Sequence, residues 1–257
     1  MSPLRKSVGI VTLAAVSLFA CSKKEVAPPA ATEARAARFA ALPVWSGIWI
    51  ADGLKADISG FPPPNARWYH LLSPDAPWNE AGKAKMNALF AGTGTRKAQG
   101  WGYPMMMDGA APLQFLITPE ETMIVNLYRD LRHVYTDGRS HPAEEDRWPT
   151  PWGDSVGHWD GDTLVIDTVS VQYPPDYFFS SPALSESAHY IERLRMVSPD
   201  RIESEMTIED PSVLSKPWVM KLAYVRQPAL DRLVHNAYDN DRSEVDGDTF
   251  TIAPPKD

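Results

Sequence analysis

Hydrophobic and polar residues alternate with a period of two along most of the chain after residue 43. The clearest case is 201–209, where Ile202, Met206 and Ile208 alternate with glutamates. Successive side chains of a strand point to opposite faces, so this pattern predicts a strand with one buried face. Further strands are predicted at 45–50, 113–117, 122–127, 131–135, 189–197, 218–226 and 233–238. The segment 76–92 is the one with helical spacing, and Gly92 suits its C-terminal end.

The most informative stretch is 153–168, which reads as two strands joined by the Asp-Gly dipeptide at 160–161. Asp-Gly favours a type I′ turn, and that turn places Asp154 directly opposite Asp167. Alternation then sorts the side chains into an apolar face and an ionisable face. The apolar face carries Trp159, Leu164 and Ile166, and the ionisable face carries Asp154, His158 and Asp167. A second Asp-Gly-Asp-Thr at 246–249 indicates the same turn chemistry near the end of the chain.

Many short strands joined by tight turns predict a mainly β fold, an antiparallel meander with one short helix. Closing such a sheet removes its two unpaired edges, so we predict a lipocalin-like barrel, with a β-sandwich as the alternative. The side chains inside a small barrel either fill it or enclose one small ligand. Residues 43–257 form one domain on this interpretation.

The N-terminal segment predicts export. A basic pair at residues 5–6 and an apolar run over 8–20 form a signal peptide, too short to remain as a membrane span. The next residue, Cys21, completes a pattern that resembles the cleavage site of bacterial lipoproteins, which implies lipidation of Cys21. Ser22 follows instead of Asp, which favours the outer membrane. Residues 21–42, rich in Ala, Pro and Glu, are predicted to be a flexible tether.

Composition narrows the classes of partner. The net charge is -8 and no basic cluster is present, so a nucleic-acid partner is not expected. Cys21 is the only cysteine, which excludes an intramolecular disulfide. The expected partners are a small molecule and, through the anchor at Cys21, a membrane. No cofactor is indicated.

The ionisable face of 153–168 is the first candidate for chemistry. A histidine near carboxylates can act as a general acid or base, with His158 as the base and Asp154 or Asp167 orienting it. Two carboxylates directly opposite each other repel, so water, a cation, a proton or an arginine must offset them. The alternative is a solvated polar face. No spacing typical of a metal site is present. Gly153-Asp154-Ser155-Val156-Gly157 matches a nucleophile elbow, but the residues after Ser155 continue as a strand.

A second candidate lies at 129–142, where charged residues and two histidines surround a strand and a turn. Alternation puts His133 with Leu131 and Tyr135 on one face, and Arg132 on the other. His133 is therefore either a core histidine or a base inside the barrel. Arg132 or Arg139 would hold an anionic group of a substrate.

Soft and aromatic residues form a third group. Methionine adapts to irregular apolar ligands, and aromatic residues of the loop 171–188 could close a pocket mouth. The alternative is ordinary packing under a loop. The predicted ligand-binding residues are Tyr103, Met105, Met107, Tyr135, Tyr177 and Phe178.

The run G-x-S-x-G-x-W-x-G-D-T-L-V-x-D-T at 153–168 resembles the signature of a large bacterial family of exported proteins with no settled function. The resemblance extends over the segments 102–104, 135–142, 192–193, 210–211 and 216–218. Two positions depart from it: Asp160 stands where the family usually has Glu, and 98–100 lacks a cysteine that the family commonly has. The resemblance implies export and fold, and the missing cysteine argues against a thiol mechanism.

Three functions follow as hypotheses. The first is a lipid-anchored barrel that binds a small, largely apolar ligand. The second is a lyase, hydratase or isomerase on the same barrel, with His158 or His133 as the base. The third is a structural or assembly lipoprotein of the envelope. An ionisable face that points into a cavity favours the enzyme. A solvent-exposed face with a wholly apolar cavity favours ligand binding, and a barrel without a cavity favours the assembly role.

Overall fold

The computed structural model describes residues 29–52, 71, 76–91, 101–109, 111–128, 130–173, 183–233, 243–246 and 249–252. The signal peptide, Cys21, Tyr177 and Phe178 lie outside these residues. The strands are β1 Trp49–Ala51, β2 Leu113–Ile117, β3 Glu121–Asn126, β4 Leu131–Tyr135, β5 Asp154–Asp160, β6 Thr163–Val169, β7 His189–Ser198, β8 Arg201–Glu209, β9 Trp218–Arg226, β10 Ser243–Asp246 and β11 Thr249–Ile252.

Strands β1 to β9 form a closed barrel in sequence order, which confirms the mainly β barrel that the sequence predicts. Neighbouring strands are antiparallel except β4 and β5, which pair in parallel. A closed ring with an odd number of strands cannot alternate in direction throughout, so one parallel pair is required. Parallel strands need a long crossover connection. Residues 136–153 supply it, and this crossover brings new side chains over the outer surface of β5 and β6.

The central hairpin keeps its predicted faces but not its predicted register. The structure pairs Asp160 with Thr163, Asp154 with Val169 and Asp167 with Val156. The loop is therefore 161–162, and Gly161 occupies its first position with φ of 63°. A type I′ turn needs positive φ at both positions, and Asp162 at the second position does not have it, so the turn is type II′ and the predicted type I′ turn was wrong. Moving the turn by one residue shifts each partner by two, which leaves every side chain on its predicted face.

The apolar face of this hairpin points into the barrel, where Leu164 and Ile166 are fully buried. The ionisable face points outwards: Asp154 and Asp167 are half-buried and His158 is exposed. The barrel core is large and aromatic, and the fully buried members include Trp45, Trp49, Tyr103, Tyr190 and Tyr224.

The described residues contain three α-helices, where the sequence predicted one. Helix α2, Glu80–Ala91, is the predicted helix. Helix α3, Met105–Asp108, is a single turn, and all four of its side chains are buried. We call residues 101–109 the plug. None of the helices in the described residues is both long and apolar enough to cross a membrane.

Helix α1, Pro29–Ala40, occupies much of the segment that the sequence predicts as a tether. Alanine, glutamate and arginine all favour the helix, which explains this local structure. The helix contacts the barrel through Arg35, which donates two hydrogen bonds to Glu120, and through Arg38, which donates to the carbonyl of Pro119. Short Ala-rich helices are marginal alone, so these contacts help to fix it.

Candidate functional site

An ion pair lies in the interior of the barrel between β4 and β7. The Nη2 atom of Arg132 donates to Oε2 of Glu192 at 2.6 Å, and both side chains are 0% exposed. The same nitrogen donates to Thr168 at 2.7 Å, and the Nε atom donates to Ser155 at 3.1 Å. Ser155 is therefore a strand residue bonded to an arginine, with none of the geometry of a nucleophile elbow.

Tyr103 completes this interior polar centre, which we define as Arg132, Glu192, Tyr103, Ser155 and Thr168. Its hydroxyl donates to Oε2 of Glu192 at 3.1 Å, and the guanidinium of Arg132 lies 4.0 Å from the centroid of its ring. The ring supplies a cation–π contact and the hydroxyl supplies a hydrogen bond. One tyrosine thus contacts both members of the ion pair.

The polar centre retains unused hydrogen-bonding capacity. Among the described residues, Nη1 of Arg132 and Oε1 of Glu192 have no hydrogen-bond partner, although both atoms are buried. A buried charged group that lacks a hydrogen-bond partner is costly, so such atoms require an explanation.

The interior strongly opposes negative charge on its tyrosines. Burial, followed by the charge of Glu192, raises the pKa of Tyr103 well above its ordinary value. Burial likewise raises the pKa of Tyr190 and of Tyr224. Burial alone would lower the pKa of Arg132, but the charge of Glu192 raises it, so the arginine remains charged.

The plug fills the barrel beside this centre. Asp130 fixes its start, because the carboxylate accepts hydrogen bonds from the backbone N–H groups of Trp101 and Gly102 at 2.8 and 3.0 Å. At its far end, the hydroxyl of Tyr224 donates to the carbonyl of Met107 at 2.8 Å. The predicted ligand-binding residues Tyr103, Met105 and Met107 therefore lie together inside the barrel, packed as core.

A second cluster lies on the outer surface, under the crossover. His141 contacts Asp154 through Nδ1 and Asp167 through Nε2, the latter at 3.1 Å. His189 also contacts Asp167, at 2.8 Å. His141 bridges the two carboxylates, and it holds the crossover against β5 and β6. We call this arrangement the His141 bridge.

The predicted base His133 points outwards, which corrects the expectation of a core or interior histidine. It is exposed and lies 3.0 Å from Glu121. The side chains of this strand that enter the core are Arg132 and Val134, and Glu192 compensates the charge of Arg132. The predicted ligand-binding residue Tyr135 also lies outside, with the guanidinium of Arg139 4.0 Å from its ring centroid.

The outer residues do not form the predicted catalytic set. His158 is exposed and takes no part in the His141 bridge. Arg139 pairs with Asp137, and its hydrogen bonds lower the pKa of that carboxyl to about 2. Arg132 and His133 lie on opposite sides of the barrel wall, so they cannot act on one small substrate. In the part of the chain that the structure describes, no group of three or more His, Cys, Asp and Glu side chains is arranged to hold a metal ion.

The outer face of β7 to β9 carries a cleft of about 630 Å³. Its arginines are already paired: Arg193 with Asp160 at 3.0 Å, and Arg195 with Asp162 at 3.0 Å. These ion pairs are solvent-exposed, and such pairs are ordinary surface features. The cleft is therefore a weaker candidate for a ligand site than the interior polar centre.

Three residues that the sequence did not single out as site residues prove central: Glu192, Asp130 and His189. Glu192 alternates with buried apolar residues of β7, and an acidic residue on such a face is a signal that a buried partner exists. Its partner is 60 positions away in the sequence, so spacing could not identify it. His141 was visible as a turn residue, but its partners depend on the path of the crossover.

Comparison with known proteins gives no match, either to a protein-family model or to a curated protein. The resemblance based on 153–168 and its companion segments therefore stays a prediction.

Proposed function

We propose that this protein is an exported, lipid-anchored barrel that binds one small, largely apolar ligand inside the barrel. The observation that carries the proposal is the interior polar centre. Its two charged residues are fully buried among aromatic and methionine side chains, and each has an atom without a partner among the described residues. Ligand sites commonly combine apolar walls with a few polar groups that fix orientation.

The ligand must compete with the plug, because plug side chains occupy the interior. Methionines at 105–107 suit this role, since their flexible thioethers can repack around a guest. Backbone hydrogen bonds hold the plug, among them the donation from the N–H of Met106 to the carbonyl of Gly102 at 2.7 Å. Binding should therefore loosen these bonds while the barrel strands stay protected.

The test is a titration of the purified full-length protein with N-phenyl-1-naphthylamine, a neutral fluorescent apolar probe, followed by displacement with 1-decanol. We expect saturable binding with one site. Met105→Ala, which removes buried volume from the plug, should tighten binding, whereas Leu116→Ala on the outer surface should leave it unchanged. Amide exchange at Met106 should accelerate on binding. Absence of saturable binding in all variants would contradict the proposal.

A second candidate is a structural or assembly role in the envelope. The filled interior favours it, because a barrel packed with its own side chains needs no guest to be stable. The same titration separates the two: an assembly protein would show no saturable probe binding in either variant, with the amide exchange of the plug unchanged.

A further inference from the structure

We infer that the ligand is a neutral amphiphile, an apolar body with a head group that both donates and accepts a hydrogen bond, such as a hydroxyl or a primary amide. This inference rests on the proposed function and specifies the chemistry of the same site. It follows from the charge and the unused bonds of the interior polar centre.

The charge of the centre is balanced. Arg132 and Glu192 contact at 2.6 Å and are both fully buried, so they neutralise one another. An added charge would have no compensating partner in this low-dielectric interior, and an uncompensated buried charge is strongly destabilising. The head group that enters should therefore be uncharged.

The two atoms without hydrogen-bond partners indicate which donor and acceptor groups the head group should carry. Nη1 of Arg132 can only donate, and Oε1 of Glu192 can only accept. Within the described structure neither has a partner. A carboxylate would satisfy Nη1 but repel Glu192, and an ammonium would satisfy Oε1 but repel Arg132. A hydroxyl or a primary amide carries both a donor and an acceptor, so it can bond to either atom without adding a charge.

The two unused atoms belong to the contacting ends of one ion pair. Nη1 shares its carbon with Nη2, and Oε1 shares its carbon with Oε2, while Nη2 and Oε2 are in direct contact. Aromatic rings surround the pair, among them Tyr103, which contacts both partners, and Tyr190, whose ring centroid is 4.9 Å from that of Tyr103. An apolar body behind the head group fits these surroundings.

Neighbouring groups also oppose an anionic head group. Asp108 and Asp130 are buried, as Glu192 is, and Arg132 is the one buried cationic side chain among the described residues. Asp130 accepts hydrogen bonds from backbone and side-chain N–H groups, so it has little capacity left for a cation. The raised pKa of Tyr103 reflects the same resistance to further negative charge.

The experiment compares decyl compounds that differ only in the head group, as competitors of N-phenyl-1-naphthylamine on the full-length protein at pH 7. We expect 1-decanol and decanamide to bind at least ~10-fold more tightly than decane, since hydrogen bonds to buried charged groups are strong. Decanoate and decylamine, both charged at pH 7, should bind at least ~10-fold more weakly than 1-decanol.

A variant links the preference to the ion pair. Arg132→Met combined with Glu192→Leu should remove the preference for 1-decanol over decane, and a buried pair replaced by apolar residues commonly still folds. Arg193→Met, in an exposed pair, is the matched control and should keep the preference. If decanoate or decylamine bound more tightly than 1-decanol, the inference about a neutral head group would be wrong, but the proposed ligand site would stand. Failure of every decyl compound to displace the probe would overturn the inference and the proposed ligand site together.

Discussion

At the scale of single residues, Arg132 and Glu192 are two opposite charges that are buried together, so each depends on the other. Removing one partner leaves the other charge buried without compensation, which typically costs about 3–5 kcal/mol of unfolding free energy. We expect that loss for Arg132→Ala, measured by reversible urea unfolding. The double variant with Met at 132 and Leu at 192 should lose much less, because no charge remains inside.

The matched control is Arg193→Ala, which breaks the exposed pair with Asp160. Exposed pairs contribute about 0–1 kcal/mol, so this variant should unfold almost like the parent protein. If Arg132→Ala cost no more than Arg193→Ala, the ion pair would not be buried as described. If the double variant were as unstable as Arg132→Ala, lost packing and not charge would be the cause.

The sequence predicted correctly which side chains share a face of a strand, but not which face of β4 points into the barrel. The sequence separated Arg132 from His133 correctly, but each face of β4 carried one ionisable residue, so the buried face was ambiguous. Burial of a charged residue can be predicted only when its partner is known, and the partner of Arg132, Glu192, is far away in the sequence. The hairpin register failed for a different reason: Asp-Gly-Asp offers glycine to two adjacent turn positions.

At the scale of elements, the His141 bridge ties the crossover to the barrel. Its ring contacts β5 through Asp154 and β6 through Asp167, and the side chain of His141 is only 14% exposed. We expect His141→Ala to loosen residues 142–148 without opening the barrel. Hydrogen exchange should accelerate at the amides of Asp146 and Arg147, whose hydrogen bonds lie within this short turn.

The control for that substitution is His158→Ala, which removes an exposed histidine from the same outer face. It should leave the exchange of both amides unchanged. Faster exchange throughout β5 and β6 in His141→Ala would instead mean that the bridge supports the barrel itself. Unchanged exchange at the two amides would show that other contacts hold the crossover.

The elements themselves were largely predictable, since the bounds of β2, β4, β8 and β9 match the alternating segments. The plug was not, because a single buried turn has too few residues to show a helical period. The parallel pairing of β4 and β5 was also invisible, since the pattern of one strand does not encode the direction of its neighbour. The crossover, and with it the His141 bridge, depends on that pairing.

At the scale of the whole molecule, closure of the sheet was predictable because a long meander leaves two edges that must be paired or covered. Whether the barrel would be filled was not predictable, because Tyr103 and the methionines after it suit a ligand wall and a packed core equally. The structure packs them as core, so a guest has to displace part of the plug. The methionines of the plug could move to admit a ligand, while the strands of the barrel keep the protein folded.

The location of the molecule rests on Cys21, which lies outside the described residues. If Cys21 carries the lipid, Cys21→Ala should abolish incorporation of labelled palmitate and release the protein from the membrane fraction, since acyl chains supply the anchoring energy. Ser22→Asp is the matched control: it should keep the label but move the protein from the outer to the inner membrane. Labelling that survives in Cys21→Ala would contradict the anchor. Because the barrel domain lies beyond the predicted tether, both variants should still bind N-phenyl-1-naphthylamine, so the anchor and the ligand site can fail independently.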